Sequence, residues 1–266
     1  MYTIDLNNKT AVIFGIANQR SIAWSITKQL ADAGANIIAV YQNDRVKGPV
    51  EKLLSQLDKS HMVECDVSKE ENVQEAFKNI SNHCGSIDTL VHSIAYADRN
   101  DLGGKFLKTS REGFMTALDI SAYSLVSIVR NATPLMTAGG TIITMSFMAA
   151  EKVFPGYNGM STAKAALENA SEVWVKDLED TGVTVNILNP GGAANTEGFE
   201  ISEDRAIASE AVGGMVEPYK MVAPICWLIS DDAGDTTGMR YDASNWDEKL
   251  SPGDEAMRIG RPLGLS

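Results

Sequence analysis

Short apolar runs alternate with helical patterns along most of this chain, and that alternation restricts the fold more than any other feature. Lys9–Phe14 (KTAVIF) reads as a buried strand ending at Gly15. A helix opens near Ser21, carries Ile22, Ile26 and Leu30 on one face, and stops at the glycine signal Ala33-Gly34. Asn36–Tyr41 (NIIAVY) is a second strand. The same reading gives a helix over Val50–Leu57, a strand over Met62–Cys65, a helix over Asn72–Ile80 and a strand over Ile87–Ser93. A long apolar helical stretch, Arg111–Met136, precedes a fifth strand at 141–146. The helix Tyr157–Glu179 and the strand Val183–Leu188 follow. Strands separated by helices run parallel, with right-handed crossovers. The expected fold is α/β: a doubly wound parallel sheet of Rossmann type, in a single domain spanning 1–266. After Pro190 the pattern loosens into a polar, Gly-rich segment reaching Met221. A helix resumes at Ala223–Ile229, and 236–246 is the candidate for a final strand.

The totals exclude several functions. A net charge of −12 argues against nucleic acid and anionic membrane as partners. No apolar run approaches the ~20 residues that span a bilayer, and Met1–Asn8 is polar, unlike a signal peptide. Cys65, Cys84 and Cys226 lack metal-site spacing and fit a reduced cytoplasm. Histidines at 61, 83 and 92 form no cluster, so no metal is expected, and His92 reads as a satisfied core histidine.

In a doubly wound sheet, ligands lie beyond the carboxyl ends of the strands. The first β–α turn, Gly15 to Ala23 (GIANQRSIA), is not GxGxxG. It can still aim backbone N–H groups and a helix N-terminus at a pyrophosphate, with Ala17 and Ala23 allowing close approach and Ser21 adding a donor. The alternative is a plain surface turn. Gln42 stands where an acidic residue would read the ribose hydroxyls; glutamine can bond a hydroxyl without repelling a 2′-phosphate, and Arg20, Arg45 and Lys47 are near in sequence. Asp66 could accept from an adenine amino group or simply close a turn. Ser93-Ile94-Ala95 offers small residues at the sheet edge.

The chemistry is expected at Tyr157 and Lys164. Placed on one helix two turns apart, they share an azimuth just beyond a strand end at Ser146. A nearby ammonium would make the phenol a better proton donor or oxyanion clamp. The competing reading is two residues sharing a half-buried face by chance.

Together these strings resemble the bacterial enoyl-acyl-carrier-protein reductases of the short-chain dehydrogenase/reductase superfamily. The likeness runs from residue 5 to about 189 and rests on GIANQRSIA (15–23), VYQNDRVKG (40–48), ECDVS (64–68), VHSIAYA (91–97), SREGF (110–114), DISAYS (119–124) and Tyr157-x6-Lys164. The resemblance implies that Gly15, Ala17, Ser21 and Ile22 hold the cofactor, that Gln42, Asp66 and Val67 flank adenosine, and that Ser93, Ile94 and Ala95 run under the ribose and diphosphate. Gly191, Ala193 and Thr196, after the sixth strand, are expected to join that set on a PGG…T pattern that resembles a different branch of the superfamily. Lys164 would bind the nicotinamide ribose and Tyr157 would face the thioester carbonyl. The YQND string resembles members using NADH, with NADPH as the alternative. Tyr96, Phe147 and Met160 would line an apolar acyl channel, whereas Phe199 reads as ordinary packing.

Ketone reductases of the superfamily place their tyrosine and serine where this chain has Met160 and Phe147, neither able to donate a proton. The enoyl reductases carry a second tyrosine at the position of Phe147, and the Pro190-Gly191-Gly192 turn and the TGMRYDASNWD tail (237–247) also depart from them. The implied activity is reduction of the trans-2 double bond of an enoyl thioester with NADH, in fatty acid biosynthesis. The alternative is a short-chain reductase acting on a non-fatty carbonyl or activated alkene. The resemblance also implies a small-molecule or acyl-carrier-protein-bound substrate, a homotetramer, and a substrate lid over 192–221.

Overall fold

The computed structural model of the chain describes residues 4–200 and 214–264. Its centre is an eight-stranded sheet. The strands are β1 (Thr10–Phe14), β2 (Asn36–Tyr41), β3 (Ser60–Glu64), β4 (Thr89–His92), β5 (Gly140–Met145), β6 (Val183–Asn189), then β7 (Ala193–Ala194) and β8 (Met215–Val216), which form a separate pair, and β9 (Met239–Asp242) and β10 (Arg261–Pro262). The order is β10-β9-β6-β5-β4-β1-β2-β3, parallel throughout except for the antiparallel β10. This is the doubly wound α/β fold. Every residue of β1 is buried, as expected of a central strand covered on both faces. The candidate strand at 236–246 is β9, and β10 was not foreseen, since two residues (Arg261 and Pro262) leave no periodic trace.

The first helix, α1 (Ile22–Asp32), is capped as its sequence requires: Ser21 accepts from the Trp24 amide at its start, and Gly34, at φ +98°, follows its end. Other expectations shift. The helix expected at Val50–Leu57 is α2 (Asp44–Leu54), because the Asn43 side chain caps it by accepting from the Arg45 amide and Pro49 is carried inside it. The helix α3 (Glu70–Cys84) packs under the sheet. The stretch 111–136 is not one helix: α4 (Arg111–Leu118) gives way to a π turn, Asp119–Tyr123, before α5 (Ser124–Ala132). Serine hydroxyls accompany that widening. Ser121 donates to the Tyr96 carbonyl and accepts from its amide, and Ser124 donates to the Ile120 carbonyl.

The next helix, α6 (Gly159–Asp177), begins after Tyr157 rather than on it. Asn158 intervenes at φ 44°, ψ −125°, which no helix accommodates. Tyr157 and Lys164 therefore do not share a helix face. Beyond β8, α7 (Val222–Leu228) and α8 (Pro252–Ile259) close the β9 side of the molecule.

Candidate active site

The strand order reverses between β1 and β4, and the crevice there is shaped by backbone. Gly15, at φ +102°, follows β1, and a Cβ on it would lie 2.1 Å from the Ser93 carbonyl oxygen. Only glycine lets the two strand ends come this close. The N-terminus of α1 opens beside them, with the Ser21 hydroxyl donating to the Asn18 carbonyl at 2.8 Å. This cradle of strand ends, glycine and helix N-terminus suits the diphosphate of a dinucleotide.

The expected cofactor residues lie on several elements of the fold. Gly15, Ala17, Ser21 and Ile22 form the turn itself. Gln42 is exposed at the tip of β2, where it lines a hollow of about 640 Å³ with Asn43, Asp44, Arg45, Glu64 and Tyr96. Asp66 is engaged locally: it accepts from the Ser68 amide and hydroxyl and pairs with Lys69 at 3.2 Å. Burial would raise its carboxyl, but the Ser68 and Lys69 contacts outweigh that and hold it below the usual range. Its neighbour Val67 packs on the core formed around Val12 and Phe14. Ser93, Ile94 and Ala95 continue from β4, and Gly191, at φ +78°, stands against Ser244. Ala193 is buried in β7, and Thr196 donates its amide to the Ala194 carbonyl.

Tyr96 is among the residues lining the Gln42 hollow, and Phe147 and Met160 flank Tyr157. Phe147 stands 5.0 Å from the Tyr157 ring, centroid to centroid, and Phe154 stands 6.0 Å from it. Met160, with Ala117 and Ala163, forms a second apolar patch on which Tyr157 also packs. Phe154 had no sequence signal, because a lone aromatic in a loop before Pro155 belongs to no periodic pattern. The Phe199 side chain lies outside those described.

The turn carrying Tyr157 is stitched in place by its neighbour. The Asn158 side-chain amide donates to the carbonyls of Asp101 (3.0 Å) and Gly103 (2.7 Å), and the Gly103 amide donates to the Gly156 carbonyl at 2.7 Å. Among the described residues the phenol oxygen has no hydrogen-bond partner. Burial among the rings pushes the phenol well above its ordinary pKa. Burial is the one cause acting on the phenol, so near neutral pH the hydroxyl is protonated and available as a hydrogen-bond donor.

Lys164 is 3% exposed. Its ammonium donates to the Met145 carbonyl at 2.7 Å and reaches the Ile94 carbonyl at 3.5 Å. Burial brings its pKa down to about 8, against the opposing pull of the Glu168 carboxylate. His92 is buried beside it, bonded to the Ser124 hydroxyl at 2.9 Å, and burial followed by the Lys164 charge lowers it to about 3. It is neutral, a satisfied core histidine as read from the sequence. Ser146 donates to Glu168, which is also held by Arg240; neither partner was foreseen. No metal-binding group of His, Cys, Asp or Glu occurs among the described residues.

A dinucleotide crevice with a buried ammonium and a protonated phenol at its end defines a nicotinamide-dependent oxidoreductase of the doubly wound class. The comparisons with known proteins are more specific. A family model described as enoyl-(acyl carrier protein) reductase matches residues 15–243. The NADH-dependent enoyl-acyl-carrier-protein reductase of Enterococcus faecalis is 42% identical over 186 residues, 70% of this chain and 74% of its own. The NADPH-dependent enzyme of Staphylococcus aureus is 39% identical over 88% of this chain and 94% of its own. The Bacillus cereus enoyl-acyl carrier protein reductase, solved with NADP+ and indole naphthyridinone, superimposes with a TM-score of 0.84 at 34% identity, covering 89% of this chain and 95% of that one. The chain belongs to the enoyl-acyl-carrier-protein reductase family.

Proposed function

We infer that the protein reduces the trans-2 double bond of an enoyl thioester carried by acyl-carrier protein, using NADH, in fatty acid biosynthesis. The observation that carries this reading is the Tyr157 phenol: protonated, without an internal partner, and held by apolar groups where a substrate oxygen can reach it. NADH, when bound, would supply hydride chemistry at the β-carbon. As negative charge builds on the thioester oxygen, Tyr157 donates its hydrogen bond, a contact strongest at the transition state. A proton taken up from solvent at the α-carbon would complete the saturated product. Lys164 holds the nicotinamide ribose hydroxyls with the N–H groups that Met145 and Ile94 leave over. Phe147 and Met160 line the acyl side. Carbonyl reduction is disfavoured, because the two positions that would serve it are these same buried, apolar residues.

The adenosine end would be read by Gln42, with Asp66 and Val67 beneath the base and Ser93, Ile94 and Ala95 along the ribose and diphosphate. Asp44 and Glu64 outnumber Arg45 in the Gln42 hollow, and this acidic balance, opposing a 2′-phosphate, supports NADH over NADPH. Gly191, Ala193 and Thr196 would close over the nicotinamide. We read 192–221 as a lid within one domain. Asn195 accepts from Arg20 at 2.6 Å and donates to Glu217 at 2.8 Å, which ties the lid's base to the cofactor turn; 201–213 lie outside the described residues. An acidic carrier would dock on Arg99, Lys105, Lys108 and Arg111, exposed cations of the segment bonded to the Tyr157 turn. Met115, Tyr123 and Val173, exposed on the helical side, support assembly into a homotetramer. No helix among the described residues is long and apolar enough to cross a membrane, and three free cysteines suit the cytoplasm.

Crotonyl-type thioesters assayed against a panel of carbonyls, with both nicotinamides, test the reading. NADH-dependent thioester reduction is expected, and carbonyl turnover without it would retire the assignment.

A further inference from the structure

Arginine in the middle of a strand facing a core is costly unless its charge is met. Arg240 on β9 is 2% exposed. Its Nη1 donates to both carboxylate oxygens of Glu168 on α6. Glu151 lies 3.4 Å from the same nitrogen, and Asp242 lies 4.0 Å from Nε. Among the described residues neither Nε nor Nη2 has a hydrogen-bond partner. Its side-chain hydrogen bonds therefore go to Glu168, with Glu151 and Asp242 as looser ion-pair partners.

That partner leads to the reacting end of the molecule. Glu168 lies one helical turn beyond Lys164 and accepts from the Ser146 hydroxyl. Ser146 follows Met145, whose carbonyl receives the Lys164 ammonium at 2.7 Å. We propose that Arg240 is a positioning residue for the cofactor site, holding the Glu168 carboxylate in place so that Glu168 fixes Ser146, the residue next to the Met145 carbonyl on which the Lys164 ammonium rests. The proposal rests on the reading of Lys164 as the group that holds the nicotinamide ribose.

The surrounding charges are accounted for. Glu168 is pushed above the usual carboxylate range by burial, and the Ser146 and Arg240 contacts oppose that push; Glu151 adds to it. On the outer side Arg261 pairs with Glu151 at 3.1 Å and faces Asp242 at 3.8 Å. His92 faces Lys164 from β4 and is uncharged near neutral pH. Without Arg240, a contact that favours the charged form of Glu168 is lost, the carboxylate that raises the Lys164 pKa is weakened, and the ammonium loses its proton at lower pH. Direct repulsion between Arg240 and Lys164 would have the opposite sign.

The dissociation constant of NADH, followed by nucleotide fluorescence from pH 6 to 9.5 on the full chain, reads this out. Wild type is expected to lose affinity as pH rises through about 8. Arg240→Met is expected to move that limb acid-ward by about one unit, roughly fivefold weaker binding at pH 8. Arg240→Lys should restore most of it. Glu168→Gln should match Arg240→Met, and the double variant should be no worse than Glu168→Gln alone, since both act through one carboxylate. A limb that stays put in Arg240→Met, or moves to higher pH, overturns the proposal; so does additivity in the double variant. A lower melting temperature with an unmoved limb marks Arg240 as a structural staple only. Should Arg240→Met not fold, the limb of Arg240→Lys, expected to move in the same direction by less, decides. Wild-type protein that binds no NADH defeats the functional reading and this one together, whereas binding with an unmoved limb defeats this one alone.

Discussion

Tyr157 and Lys164 are close in sequence and stand in opposite surroundings. Lys164 is enclosed by carbonyls and a carboxylate, and its charge is bargained between burial, which lowers its pKa, and Glu168, which raises it. Tyr157 is enclosed by Phe147, Phe154 and Met160, and burial alone acts on it. Each environment suits one task. A cation that must bind a cofactor reversibly is tuned by neighbouring charges, while a hydroxyl that must stay protonated is secured by excluding them. The contrast implies that substitutions at the two residues separate cleanly into turnover and binding.

The sharpest break comes at the phenol. Tyr157→Phe removes only the hydroxyl and keeps the ring packing, so thioester turnover is expected to fall by ~10²–10³ while NADH affinity is unchanged. Steady-state kinetics alongside a nucleotide titration check this; weakened NADH binding would show that the two environments are not independent. Lys164→Met should do the reverse. Hydrogen bonds from a charged group contribute roughly 1.5–3 kcal/mol, so NADH affinity should drop about 10- to 100-fold. The same variant has a stability signature. The folded-state pKa of about 8 lies below the unfolded value near 10.5, so between them the unfolded chain binds more protons. Stability attributable to Lys164 therefore rises with pH across that window. The advantage of Lys164→Met in melting temperature should shrink between pH 7 and pH 9.5, and a gap that widens would reverse the sign.

The cofactor side was legible in sequence because its elements are regular. Alternating runs gave β1 to β6 within a residue or two, and Ser21 and Gly34 bracketed α1 by well-understood cap chemistry. The catalytic corner was legible only as a pair of residues. Seven-residue spacing suggested a shared helix face, yet Asn158 at φ 44° places Tyr157 before the helix begins. The bonds that hold this turn reach Asp101 and Gly103, far along the chain, and no local pattern announces such partners. Arg240 was invisible for a related reason. Its partner Glu168 reads as one more polar residue on a helix, and only the packing of β9 against α6 shows that both are buried.

Asn158 offers a milder break. Its side chain contributes two hydrogen bonds that fix the Tyr157 turn, and its backbone conformation is one that glycine adopts freely. Asn158→Gly removes the bonds without adding backbone strain, whereas Asn158→Ala does both. At about 0.5–1.5 kcal/mol per bond, turnover in the glycine variant should fall roughly tenfold with NADH affinity retained. Relative to the glycine variant, the alanine variant should also be less stable by ~1 kcal/mol or more, because its Cβ keeps the strain of this positive φ that glycine escapes. Equal kinetics in both variants would locate the effect in the side chain; a normal glycine variant would mean that the aromatic contacts alone hold Tyr157.

The smallest effect is expected at the far end of the crevice, where charge acts through solvent. Glu64 is exposed, accepts from the Tyr41 hydroxyl at 3.3 Å, and shares the hollow with Gln42 and Asp44. Two unit charges a few ångströms apart in water interact by only ~1 kcal/mol. Glu64→Gln should therefore improve NADPH binding about three- to fivefold and leave NADH binding alone. Salt screens such exposed charges, so the gain should diminish as ionic strength rises, measured by titrating both nucleotides at low and high salt. A gain that persists at high salt would instead assign the discrimination to the shape of the hollow and the reach of Gln42.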